Sequence, residues 1–413
     1  MKKILILIFF CFLAFLLLSF RITQVPPGIN GDEAGIGYNA ALISKNLTDE
    51  TGNFLPLFIF AKSSDWKQPV TIYATAAVFK IFGISYFNLR VTSVLFVLVS
   101  ILILYFISRE FFDLKFFMVS SLFLVTTPII LIQSHLGLEN IAPLPFVFLW
   151  LWMLLRHEKT GKNIFLVVAG ASLGIGLFSY LGMRLVVPVL TVVSFIYLLK
   201  SDRKFFYFLA GVLPFFLLLF WAYFHYPGAI FGNFNSPTVV SPYDFLYRYL
   251  SGFDLSFLFF TGDTTTYHST GQFGMLLLMS LPLFLLGIYK TLKEKNKFLT
   301  TVLVSFFVTS LLFGFVPEIH RASRLIPILP FFIIVSTVGF LSLSKKVVLI
   351  ALIFVAINYG FFASDYWFAY PNRVEKDFSP PISILRGLIK NGADSSYKYY
   401  SSIQFLKETN DEK

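Results

Sequence analysis

Two adjacent carboxylates, Asp32 and Glu33, stand among glycines in Pro26-Pro-Gly-Ile-Asn-Gly-Asp-Glu-Ala-Gly-Ile-Gly-Tyr38. Gly28, Gly31, Gly35 and Gly37 give this stretch a backbone that a ligand can approach closely. Asp32 has two readings: a carboxylate base that takes a proton from an attacking hydroxyl, or an N-cap of the helix that follows. Neighbouring residues on a helix point in different directions, so Glu33 is expected to have a separate task. It would support the local arrangement, or bind an acceptor or a metal. A second acid, Glu139, follows in Ser134-His-Leu-Gly-Leu-Glu-Asn140. It reads either as a partner in the same chemistry or as a helix-start charge favoured by the macrodipole.

The matching cations lie far along the chain, in Pro317-Glu-Ile-His-Arg-Ala-Ser-Arg324. Spacing of three puts Arg321 and Arg324 on one helix face, and a guanidinium fork matches phosphate oxygens. The alternative is snorkelling to lipid headgroups. Lys67 is a second candidate phosphate partner. His135, His268 and His320 are candidate ligands for a divalent metal ion, although their spacing resembles no zinc pattern. Cys11 is the single cysteine, so neither an intramolecular disulfide nor a cysteine-based metal site is available.

The elements that must position these groups are membrane elements. Of 413 residues, 57% are hydrophobic and 13% charged, with a mean hydropathy of +0.77. Soluble domains carry about 25% charged residues. Apolar stretches lie near 4–20, 91–107, 117–133, 141–155, 164–181, 185–199, 205–224, 273–289, 298–315, 325–343 and 347–363. The expected fold is an all-α polytopic membrane protein with about eleven spans. Lys2, Lys3, Arg109…Lys115, Arg156…Lys162, Lys200…Lys204, Lys290…Lys297 and Lys345-Lys346 fall in alternate short loops. By the positive-inside tendency these are cytoplasmic, so the N-terminus is inside and the C-terminus outside. The net charge of +11 is thereby a topology signal, and nucleic acid is not an expected partner.

On the outer side this leaves the loops 21–90 and 225–272, the short loops holding Glu139 and Arg321/Arg324, and the polar tail 364–413. Residues 1–363 read as one transmembrane catalytic domain. Within 21–90, residues 34–47 have helical spacing. Residues 69–82 are apolar nearly all round but too short to span, with Pro69 suited to a first turn and Gly83 to an end. Both segments are expected to lie along the outer surface, with Lys67 at the depth of the Asp32 turn. The spans contain almost no ionisable side chains and no inverted repeat, which argues against an ion or proton pathway and against a transporter or flippase.

The order of these pieces resembles the GT-C superfamily of membrane glycosyltransferases, in particular the protein mannosyltransferase and aminoarabinose transferase group. The matching residues are Gly31-Asp-Glu-Ala…Gly37-Tyr38, Trp66-Lys-Gln-Pro69, Phe82-Gly-Ile-Ser…Arg90, His135-Leu-Gly-Leu-Glu139-Asn140, Ser172…Tyr180-Leu-Gly-Met-Arg184, His268-Ser-Thr-Gly271 and His320-Arg-Ala-Ser-Arg324…Pro330. They extend over roughly residues 28–340.

The resemblance implies a sugar donor on a polyprenyl phosphate and a lipid, glycan or protein acceptor, meeting at the outer face. It makes Asp32 the base, Glu139 the second acid, and Lys67, Arg321 and Arg324 the donor-phosphate contacts. Tyr38, His135, His268 and His320 are further site candidates. Two departures stand out: His135 replaces an Arg common in relatives, and Gln68 replaces a second Pro, the latter reading as minor. A prenyl phosphate leaves as an anion, so charge stabilisation by Arg and Lys with one base suffices, and direct displacement inverts the anomeric centre. An oligosaccharide ligase or a flippase is the alternative.

Overall fold

The computed structural model describes residues 2–62, 65–199, 203–231, 241–316, 318–375, 378, 385, 389 and 400–409. Residues 232–240 of the large outer loop and most of the tail after 375 therefore lie outside the described residues. The chain is built from helices, with one two-residue antiparallel pair, Ile59–Phe60 on Trp66–Lys67.

Helices occupy each expected apolar stretch: α1 (Lys2–Ser19), α4 (Tyr86–Phe111), α5 and α6 (Leu114–Thr126 and Pro128–Ser134), α7 (Pro143–Thr160), α8 (Ile164–Gly176), α9 (Met183–Leu198), α10 (Lys204–His225), α13 (Ser280–Glu294), α14 with α15 (Lys297–Thr309, Leu311–Phe315), α16 (Leu329–Leu341) and α17 (Lys345–Ser364). Helix length alone, however, supports fewer crossings than eleven. Tyr86–Phe111, Lys204–His225, Lys297–Phe315 and Lys345–Val374 are long and apolar enough, and α5 with α6, bent by 64°, makes a fifth. A helix of 13–16 residues such as α8, α9 or α16 reaches only about 20–24 Å, short of a hydrocarbon core of about 30 Å. The stretch expected to span from 273 also begins its helix later, at Ser280. Residues before it run alongside α6, where Ile129 donates its N–H to Met275 O at 3.1 Å.

Burial follows the membrane pattern. The α16 segment Leu329–Phe340 is buried on every side, as an all-apolar central helix must be. By contrast α10 exposes Leu217, Phe220 and Phe224, and α17 exposes Leu349, Ile350 and Ile353. Broad apolar faces of this kind suit lipid. Helix α8 crosses α10 where Gly170 meets Gly211. A Cβ on either would lie 2.1 or 2.0 Å from the opposing backbone oxygen, so only a small residue permits that contact.

Two short helices carry the acidic turn. In α2 (Gly31–Asn46) the N-cap is Asn30, whose side chain accepts the Asp32 N–H, with Glu33 returning to the Asn30 N–H in a capping box. The capping reading of Asp32 is thereby overturned: an earlier residue already fills that position. Helix α3 (Pro69–Phe82) starts at Pro69 and stops at Gly83, whose φ of +89° lies in a region that side chains rarely adopt. Gly31 has open space beside it, but the other two glycines of α2 face protein. A Cβ at Gly35 would meet Ala61 at 2.9 Å, and one at Gly37 would meet Phe405 at 2.9 Å. Phe405 belongs to the helix Tyr400–Glu408, which stacks on Phe79 of α3 and pairs Glu408 with Lys45 of α2.

Candidate active site

Glu33 and Arg90 form the anchor of the region. Both side chains are 0% exposed. Arg90 grips the carboxylate from two sides, Nε to Oε1 at 2.7 Å and Nη2 to Oε2 at 3.1 Å. Its remaining donors reach the carbonyls of Ile22, Pro26 and Gly28 at 2.7, 3.2 and 3.0 Å. Glu33 Oε1 also accepts the Gly137 N–H at 2.8 Å. One buried ion pair therefore joins the chain after α1, the start of α2, α4 and the loop carrying Glu139. His135 belongs to the same core. Its Nδ1 lies 2.8 Å from Val25 O and its ring packs on Tyr366. Burial is the main force pulling its imidazole down to about 3, so the ring is neutral.

Asp32, one residue earlier, faces outward with a side chain 51% exposed. The Lys67 ammonium lies 2.8 Å from Asp32 Oδ1 and 2.6 Å from Asp65 Oδ1. Burial works against the Lys67 charge, but Asp32, Asp65 and Glu139 outweigh it and hold the ammonium above the ordinary lysine range. The hairpin register Ile59 with Lys67 fixes where that ammonium stands.

Beside this cluster opens a cavity of about 710 Å³ whose lining includes Glu139, Arg184, His268, Glu318, Arg321 and Arg324. Glu139 Oε2 accepts the backbone N–H of Gln68 at 2.9 Å. Removal from water pushes its carboxyl up to about 7, opposed by Lys67 and the Gln68 N–H and assisted by Asp65 and Asp32. It therefore stands near half-ionisation at neutral pH. Arg184 sends Nη1 to the Ala229 carbonyl at 2.7 Å and Nη2 to Gln68 Oε1 at 2.8 Å.

The turn after residue 317 contributes further to the lining. Arg321 precedes a 3-10 turn, Ala322–Leu325, that contains Arg324. Arg321 itself is extended, at φ −93° and ψ 115°, so the shared helix face expected from the spacing of three does not form, and the two guanidiniums meet through Glu318 instead. Arg321 Nε and Arg324 Nη2 both approach Glu318 Oε2, at 2.9 and 3.6 Å. Buried Asp263 ties this turn to the segment that carries His268: it accepts the Ala322 N–H at 2.6 Å and both the N–H and hydroxyl of Thr265 at 2.8 Å. His268 itself accepts the Gln133 amide at 2.9 Å on Nδ1, so the neutral ring carries its proton on Nε2. Removal from water, with Arg321 adding to it, pulls His268 below its usual value despite Asp263 and Asp32.

Of the residues expected in the site, Glu139, His268, Arg321 and Arg324 line the cavity, and Asp32 with Lys67 stands next to Glu139. Glu33 and His135 belong to the buried anchor. Tyr38 packs edge-on against Tyr400, 6.3 Å between rings, and burial pushes its hydroxyl up to about 12. His320 stacks on Phe257 and sets Nε2 3.0 Å from Asp254. The three histidines thus sit in three separate settings. Among the described residues no group of three His, Cys, Asp or Glu side chains is placed to hold a metal ion. Arg90 was legible as a lone charge at the edge of an apolar stretch, which demands a partner. Gln68 offered no such signal, yet its N–H, which a proline would lack, holds Glu139.

Residues 66–226 match the family described as dolichyl-phosphate-mannose-protein mannosyltransferase. That stretch includes Lys67, Gln68, Glu139 and Arg184 and excludes Asp32, Arg321 and Arg324. In fold, 98% of the chain superposes on 75% of ArnT from Cupriavidus metallidurans bound to undecaprenyl phosphate, with a TM-score of 0.57 and 15% identity. The apo state of the same protein matches at 0.59 and 14%, over 97% of this chain and 74% of that one. The chain has the fold of ArnT. The archaeal oligosaccharyltransferase AglB from Archaeoglobus fulgidus, in complex with an inhibitory peptide and a dolichol-phosphate, matches at 0.55 with 13% identity. There 97% of this chain covers 59% of AglB. No curated protein matches the chain in sequence.

Proposed function

We propose that the protein transfers a sugar from a polyprenyl-phosphate donor to a hydroxyl of a lipid, glycan or protein acceptor at the outer face of the cell membrane. The observation that carries this reading is one cavity whose lining brings the Glu139 carboxylate, with Asp32 next to it, together with the guanidiniums of Arg184, Arg321 and Arg324. Asp32 takes the hydroxyl proton as the acceptor oxygen bonds to the anomeric carbon. The bond from that carbon to the donor phosphate breaks, and polyprenyl phosphate leaves with the electron pair. Attack opposite the leaving group inverts the anomeric centre. Arg321 and Arg324 neutralise the departing phosphate, exchanging Glu318 for it. Glu139, near half-ionisation, hydrogen-bonds sugar or acceptor hydroxyls.

Lys67 and Glu33 take supporting parts in this scheme. Lys67 is already held by two carboxylates, so we assign it to orienting Asp32 rather than to the phosphate. Glu33 positions α2 and the Glu139 loop through Arg90 and Gly137. Eleven crossings with the N-terminus inside, the topology read from the basic loops, bring these groups to the extracytoplasmic side. Residues 1–363 form the catalytic body in this reading.

The test is Asp32→Asn in membranes with normal expression, followed by sugar transfer from a prenyl-phosphate donor. Loss of a general base lowers the rate by about 10²–10⁴-fold. Transfer at the unaltered rate would remove Asp32 from the mechanism.

A further inference from the structure

Gln68 bonds an acid and a guanidinium of the cavity lining at once. It is 2% exposed; its N–H donates to Glu139 and its side-chain oxygen accepts from Arg184. The local sequence explains why one residue can do both. Pro69 restricts the residue before it to extended backbone, and Gln68 adopts φ −79° and ψ 141°. Standing just ahead of α3, its N–H lies outside that helix's ladder, and the hairpin register ends at Lys67. The N–H is therefore left to meet Glu139.

Arg184 differs from the other cations nearby. Lys67 is answered by Asp32 and Asp65, and Arg321 and Arg324 by Glu318. Arg184 is held by neutral oxygens of Gln68, Ala229 and Ile230. Its buried Nε has no partner among the described residues. A guanidinium held by neutral groups at a cavity wall presents its charge to whatever anion enters.

We infer that Gln68 is a positioning residue coupling two groups of the cavity lining, setting the Glu139 carboxylate with its backbone N–H and the Arg184 guanidinium with its side-chain amide. The inference rests on the transferase reading above and adds a residue to it.

Two variants separate the two contacts. Gln68→Leu keeps the N–H and removes the amide. Gln68→Pro removes both, yet suits the backbone: φ is already near the proline value, and Lys67 before it lies in an extended strand. Two measurements on the full-length protein read the outcome: binding of polyprenyl phosphate without turnover, and the pH profile of transfer. Both variants are expected to weaken polyprenyl phosphate binding about tenfold, the worth of one charge-assisted hydrogen bond.

The groups facing Glu139 are Lys67, Asp65, Asp32, Arg184 and Tyr180, and all are retained in both variants. The Gln68 N–H favours the ionised carboxylate, so its loss moves the limb near pH 7 upward by about one pH unit. Only Gln68→Pro should do this. Unchanged binding in both variants overturns the Arg184 contact, and equal limb shifts in both overturn the backbone contact. Asp32→Asn measured alongside keeps the two readings apart: it tests the transfer chemistry, while polyprenyl phosphate binding reports on Gln68 without turnover.

Discussion

Asp32 and Glu33 are neighbours with the same functional group, and each is paired to a cation at bonding distance. Their surroundings separate them. The Glu33–Arg90 pair is sealed from water, and all its donors and acceptors end on four segments of backbone and side chain. The Asp32–Lys67–Asp65 cluster is half open, with Asp32 and Asp65 side chains 51% and 47% exposed. A sealed pair cannot exchange partners without stranding a charge, so it holds structure. A half-open one can, so it is available for chemistry.

The sharpest way to break this contrast is Arg90→Ala. Removing one partner of a buried ion pair costs about 3–5 kcal/mol because the other charge stays behind. Thermal unfolding in detergent should show a loss of that order, and the double change Glu33→Leu with Arg90→Leu should recover much of it. A wild-type melting temperature for Arg90→Ala would mean that Glu33 is no anchor. Next in size is Lys67→Ala, which leaves Asp32 unoriented. It should lower kcat by about tenfold, the worth of one charge-assisted hydrogen bond, with the donor KM unchanged. A raised KM at normal kcat would instead restore Lys67 to the phosphate. The smallest effect is expected from Lys45→Ala, whose pair with the half-buried Glu408 is open to solvent; such pairs contribute about 0.2–1 kcal/mol, and unfolding should barely move.

Much of this arrangement was legible beforehand. The apolar stretches all carry helices, Pro69 and Gly83 bound α3 as their backbone preferences dictate, and Glu139, Arg321 and Arg324 do share a cavity with His268. The failures have physical reasons. Asp32 looked like a cap because cap preference cannot tell Asp from the Asn two residues earlier. The glycines of α2 looked like a ligand cradle because close approach has the same signature whether the neighbour is a ligand or Phe405. Helix length supports four or five crossings where hydropathy suggested eleven, because hydropathy measures how apolar a stretch is, whereas a length test asks how far its helix runs.

What the sequence determined by itself is what depends on local preference and composition: an all-helical membrane chain, a capped acidic turn, and acids and arginines gathered in polar segments between apolar ones. The tertiary structure decided which of two like carboxylates is sealed and which is open. It also decided that a glutamine beside a proline would hold an acid and an arginine together. Burial and pairing across segments as distant as Gln68, Glu139 and Arg184 come from the packing of whole helices, and adjacent residues carry no trace of it.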